Sequence, residues 1–345
     1  MKISNMHKLV SFAGFCSLLL MFSCTGKSSG TATDAPSKTV CALQENISII
    51  AEPVSFAVAD DGCFVLTDFK NVYLYSSDGR QLRQIGHSGR AQFEYLNPSC
   101  VKIHNDTIYV WSANSMEFIT YTMDGEPVAE YQYGSAITDF VPDDDYIFIY
   151  TAGNRFENIV DIYDKSSQKT ASSLTETSSE HKLLLHTWAS VPMCIMDNRL
   201  YYAPKDRLEI LCYDMNGNKL TTAAEIDSDS FHVEEISDYD SMARDRRKRS
   251  PYLRENSQTL ALFQEDGKMF LLTIEGEGKM TDDAYDTSGL HFGLYSADRK
   301  GGKTADYSYD SIGTVALFSS NSDGLYFLKL SDDETQPHTL RKLIL

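Results

Sequence analysis

The stretch Y75-S-S-D-G-R-Q-L82 decides the fold, because the chain repeats it. YTMDGEPV starts at Tyr121 and YDMNGNKL at Tyr213, with weaker echoes, YDKSSQKT and YSADRKGG, at Tyr163 and Tyr295. An aromatic, two spacers and an Asp or Asn before Gly describe the end of a strand entering a tight turn, since Asp, Asn and Gly tolerate positive φ. Between these motifs lies a second set of short apolar runs joined by polar turns. They are FAVADDGCFVLTD, CVKIHNDTIYVWSA, TDFVPDDDYIFIYTA, MCIMDNRLYYAP, LALFQEDGKMFLLT and VALFSSNSDGLYFLKL. Each reads as a hairpin.

The second strands of these six hairpins are marked by Phe64, Ile108, Ile147, Leu200, Met269 and Leu325, at spacings of 44, 39, 53, 69 and 56 residues. Each of the first five is followed by one Tyr turn, so the repeating unit is two hairpins, four strands in about 50 residues. That length and strand count predict an all-β, six-bladed β-propeller of four-stranded antiparallel blades over residues 43–345. Five or seven blades are the alternatives. The sixth unit lacks a strand after HTLRKLIL, and ENISIIA at 45–51 is expected to supply it, pairing the N-terminal end of the body with the last strand. Such closure covers two sheet edges that would otherwise invite aggregation. A turn repeated on every blade cannot converge on one site, so the YxxDG aspartates are read as geometric, the Tyr packing between sheets.

Residues 1–23 carry Lys2 and Lys8, then the apolar run LVSFAGFCSLLLMF. This reads as a secretory signal, too short to span a bilayer comfortably. The ending MFSC resembles the lipobox of bacterial lipoproteins, which implies acylation of Cys24; Phe22 departs from the smaller residue that family usually has. A plain signal peptide with Cys24 incidental is the alternative. Residues 24–42, including TGKSSGTATDAPSK, read as a flexible tether. Removing residues 1–23 takes two Lys and no acid from 31 basic and 49 acidic residues, for a formal net charge of −20. So acidic a body repels phosphate backbones and anionic lipid, which excludes nucleic acid as a partner and leaves membrane attachment to the acyl anchor. Cys41, Cys63, Cys100, Cys194 and Cys212 show no paired spacing and read as small buried hydrophobes, with no disulfide assigned.

The connector GHSGRAQFEYLNP, Gly86 to Pro98, resembles the GxGxGxFxxP linker of NHL-type propellers, with Gly86, Gly89, Phe93 and Pro98 in matching roles and Ser88 in place of a middle glycine. The body as a whole resembles the TolB-like and NHL-like propeller lipoproteins of the Bacteroides envelope. That resemblance implies an envelope protein, and the absence of acids after Cys24 favours an outer-membrane anchor facing the periplasm.

Propeller topology sets the tight turns on one face and gathers the long segments 86–98, 174–190, 227–256 and 275–290 on the other. Loops held by a rigid scaffold usually carry function, so the long-loop face is the expected binding face, with His87, Arg90, Glu94, Trp188, Arg246 and Arg247 as its candidate residues. In DSDSFHVEEISDYDSMARDRRKRSPY acids come early and Arg244 to Arg249 late, an order that suits a helix dipole, with Pro251 as the stop. The segment reads as a solvated rim helix, with a basic patch that docks a partner or a protease-sensitive loop as the alternatives.

Catalytic chemistry is sparse. There is no GxSxG elbow, no HxxxH or HxH, and no DxDxDG loop; Asp143–Asp145 and Asp227–Asp229 read as solvated turns. Trp111 lies in a strand and reads as core. No catalytic or metal-ligating residue is assigned and no cofactor is predicted, though a funnel-bound calcium or zinc stays open. The sequence therefore favours a binding scaffold for an envelope protein, peptide or glycan fragment. A metal-assisted hydrolase or lyase with a site in the central funnel is the alternative.

Overall fold

A computed structural model describes residues 33–43, 53–151, 158–175, 177–185, 192–276, 278–280, 285–286, 289–297, 302–312, 316–331 and 336–345. Six four-stranded antiparallel sheets follow one another along the chain. Their innermost strands are Ser55–Val58, Pro98–His104, Ile137–Pro142, Met193–Met196, Gln258–Glu265 and Ala316–Asn321, and each neighbours the next around a closed ring. The chain is a six-bladed β-propeller, and every hairpin read from the sequence is present.

The second and third strands of the blades are sandwiched between sheets and supply most of the buried apolar side chains. Phe64–Thr67 and Val72–Tyr75 are buried at every position, whereas Thr339–Leu343 of the last blade is buried only at Leu340 and Leu343. The fourth strands face solvent, as in Gln81–Gln84 and Pro127–Gln132. Six apolar clusters fill the gaps between consecutive blades. The last of them joins Tyr326, Leu328 and Leu340 of the sixth blade to Phe56, Leu66 and Tyr75 of the first.

The Tyr turns have a common construction. At Leu74/Tyr75, Thr120/Tyr121, Ile162/Tyr163, Cys212/Tyr213 and Leu294/Tyr295 the register shifts, with an extra residue in the fourth strand opposite the Tyr. Each bulge lets the chain turn while its Tyr enters the cluster shared with the preceding blade, and it adds twist at the sheet edge. Residues left over by the bulges include Leu82, Val128 and Leu220, which are among the exposed large hydrophobics. The inner turns are tighter: Asn105/Asp106, Asp197/Asn198 and Asp266/Gly267 take consecutive positive φ values, as two-residue hairpins require.

Ring closure differs from the expectation. The fourth strand of the last blade is Ser37–Ala42, which pairs antiparallel with Thr339–Leu343. The segment 45–51 lies outside the described residues. Six residues read as tether are therefore structural: Cys41 is buried, and Ala35 and Leu43 are buried beside the strand. Polar composition misled here, because SKTVCA is an edge strand with one buried side and needs little apolar content. Cys41, Cys100 and Cys212 are buried, Cys63 and Cys194 are half-buried, and all five are free thiols.

The crossing between blades four and five also differs. The expected single helix ending at Pro251 is two helices. With α1 (Ser179–Leu184), α2 is Tyr239–Arg244 and α3 is Arg246–Glu255. Asp245 terminates α2 and caps α3, accepting from Arg247 N at 2.9 Å. The basic run thus opens α3 and is not set against the C-terminal end of a longer helix. Pro251 sits inside α3, past the first turn. Among the described residues no helix is long and apolar enough to cross a membrane.

Candidate functional site

Strand alternation places the links between second and third strands, and all crossings between blades, on one face. The crossing from blade one to blade two is built around Tyr95, whose buried hydroxyl donates to Ile85 O at 3.0 Å and accepts from Val72 N at 3.2 Å. Gly86, at φ +58°, lies against the Tyr121 ring, where a Cβ would meet the hydroxyl at 2.5 Å. On this frame His87 Nε2 and Glu94 Oε1 stand 3.3 Å apart, Glu94 Oε2 accepts from Ala91 N at 2.8 Å, and Arg90 is exposed.

Arg246 and Arg247 lie exposed in the first turn of α3. Their crossing, between blades four and five, is diametrically opposite the His87 crossing in a six-membered ring. Among the described residues the two groups share no hydrogen bond or ion pair. The structure therefore brings His87 and Glu94 together and leaves Arg246 and Arg247 apart from them; Trp188 and Cys24 lie outside the described residues.

The helices form an annex with its own small core, Leu183, Leu184, Ile236 and Tyr252. Tyr252 donates its hydroxyl proton to Glu234 O at 2.7 Å, and Glu180 accepts from Ile236 N at 2.7 Å, which fastens the insert to α1. Beneath α1 sits His181, wholly buried. Its Nδ1 accepts from Lys205 N at 2.9 Å, so Nε2 carries the proton and faces the hydroxyls of Tyr150 and Tyr202 at 2.8 and 2.9 Å. Burial, then the nearby Lys205 and Arg207 charges, push its pKa down to about 3. Burial likewise pushes the Lys205 ammonium down to about 7, against the pull of Asp139.

On the innermost strands, Lys102 Nζ spans Asp139 at 2.9 and 3.1 Å, and the Cys100 thiol donates to Asp139 Oδ1 at 3.1 Å. Burial and the Asp139 charge hold that thiol well above the ordinary range, so it stays protonated and is no nucleophile. His181 equally cannot take up a proton near neutral pH. Both groupings clamp blades together.

A third grouping, on blade five, is different. Glu275, at the end of the second strand (Lys268–Gly276), is completely buried and ionised. Its Oε1 accepts from Thr273 Oγ1 at 2.6 Å and Tyr295 OH at 2.5 Å; its Oε2 accepts from Ser230 Oγ at 2.6 Å and Lys303 Nζ at 3.0 Å. Burial raises its pKa, and donors led by His291, Ser230, Thr273 and Tyr295 overcome this and hold it far below the usual carboxylate range. Gly293 makes the space, because a Cβ there would run into Glu275 Oε1. His291, Lys303 and Asp306 complete the group and are 22%, 25% and 42% exposed. None of these four residues was among the candidates that the sequence offered. The legible signal was Glu275 itself, a carboxylate closing the apolar run MFLLTIE.

Two solved structures resemble this chain in fold. A Bacteroides fragilis protein described as a putative exported protein aligns with a TM-score of 0.62 at 13% identity, over 93% of this chain and 98% of its own. A DUF4221 family member from Bacteroides vulgatus aligns with a TM-score of 0.54 at 10% identity, over 92% and 96%. No curated protein matches the chain. Residues 43–335 match the family model described as domain of unknown function DUF4934. The chain belongs to that family.

Proposed function

We propose that this protein is a cell-envelope scaffold of the TolB-like and NHL-like type, exported and anchored through Cys24 to the outer membrane facing the periplasm. It binds an envelope protein, peptide or glycan fragment through its long-loop face. The observation carrying this reading is the asymmetry of the two faces. Among the described residues, one bears tight turns, while the other carries the long crossings and a helical annex with an exposed basic run on a chain of net charge −18. Basic side chains on so acidic a body favour an anionic partner surface and steer its approach. The Bacteroides fragilis protein of similar fold, described as a putative exported protein, supports export of this chain.

The test is site-specific photo-crosslinking in intact cells, with the reactive group at 90, 246 or 247 on the long-loop face and at 124 or 266 in the tight turns. Adducts at the first set alone are expected. Adducts confined to the second set overturn the choice of face, and equal adducts at both overturn its specificity. Labelled palmitate should enter the natural protein and be lost from Cys24→Ala; unchanged incorporation overturns the anchor.

A further inference from the structure

We infer that Glu275, His291 and Asp306 form a zinc site on the rim of blade five, for which the Lys303 ammonium is the built-in competitor. His291 Nε2 stands 3.3 Å from Glu275 Oε2 and 3.3 Å from Asp306 Oδ1. Donors bound tetrahedrally to zinc at ordinary bond lengths stand roughly 3.3–3.6 Å apart, so two of the three edges already have the spacing of one coordination shell. All three donor atoms lie within 4.8 Å of one another. One imidazole and two carboxylates suit zinc or a similar transition metal better than calcium, which takes six or more oxygens.

The environment already holds a cation at this place. Lys303 Nζ lies 3.0 Å from Glu275 Oε2, 2.8 Å from Asp306 Oδ1 and 3.5 Å from His291 Nε2. Asp306 Oδ1 is shut off from solvent, with ion-pair contacts to Lys303 and His291 as its partners. Tyr295 and Thr273 pin the far oxygen of Glu275, as the outer partners of a metal-bound carboxylate do. Lysine is a point charge on a flexible four-carbon stem. It can swing toward solvent when a divalent ion takes its place, whereas the three donors are fixed on paired strands or their ends. The site lies outside the central funnel, and its existence does not depend on what the long-loop face binds.

The experiment is zinc titration of the chelator-treated natural chain, read by calorimetry and by the thermal unfolding midpoint. One equivalent should bind and raise the midpoint. His291→Ala and Asp306→Asn should each weaken binding at least about tenfold and remove the zinc-dependent rise, while their zinc-free midpoints show that they fold. Lys303→Met should tighten binding at least about tenfold by removing the competing charge. Absence of zinc binding in the natural chain overturns the site, even if Lys303→Met binds, because Lys303 would then be a permanent counter-ion. Zinc binding that survives both ligand substitutions also overturns it, and points to the thiols.

Discussion

At the scale of single residues, the Tyr turns separate packing from decoration. Tyr121 is 1% exposed and donates to Phe93 O at 2.7 Å, whereas Val128, left over by the bulge opposite it, is 52% exposed. Tyr121→Ala should cost about 3 kcal/mol or more and Val128→Thr within about 0.5 kcal/mol, measured by denaturant unfolding. Gly293 is needed for space and not for its backbone, so Gly293→Ala should cost about 1–3 kcal/mol by forcing Glu275 and Thr273 apart. The pKa of His181 is depressed on folding, so the unfolded chain binds a proton that the native one refuses. Stability should therefore fall as pH drops from 6.5 toward 3, with the His181 contribution lost progressively across that window. Ring resonances of His181 should stay flat between pH 4.5 and 8; a titration midpoint near 6.5 would contradict its buried, neutral state. The motif tyrosines were legible because they recur, but His181 was not. Its neighbours Tyr150, Tyr202 and Lys205 come from a different blade strand, an adjacent blade and a link, and no local spacing announces their meeting.

At the scale of elements, strands were easier to read than helices. Two-residue turns at Asn105-Asp106 and Asp197-Asn198 demand residue types that are rare elsewhere, so hairpins announce themselves. In the insert, the gradient from acids to bases suggested one dipole, yet Asp245 interrupts the run and its side chain caps a new helix. Asp245→Ala should cost the annex about 1 kcal/mol, seen as faster tryptic cleavage within Arg244–Arg249 while the unfolding midpoint of the propeller barely moves. An unchanged cleavage rate would show that the annex core of Leu183, Leu184, Ile236 and Tyr252 holds the helices without the cap.

At the scale of the whole molecule, stability depends on closing the ring. A chain starting at residue 44 loses Ser37–Ala42, exposing the Thr339–Leu343 edge and uncovering part of the cluster between the last and first blades. It should unfold at a markedly lower temperature and aggregate, whereas a chain starting at residue 31 should match the full chain; scanning calorimetry compares them. Equal midpoints would mean that closure is dispensable. The sequence by itself determined the four-stranded antiparallel unit and the sorting of tight turns from long crossings, and favoured six blades over five or seven, because turn chemistry and strand alternation are local and recur along the chain. Only the tertiary structure decided which N-terminal segment closes the ring, since an edge strand with one buried side carries too little apolar signal. It alone also assembled Glu275, His291, Lys303 and Asp306, whose charges lie on three adjacent strands and become neighbours only through sheet register.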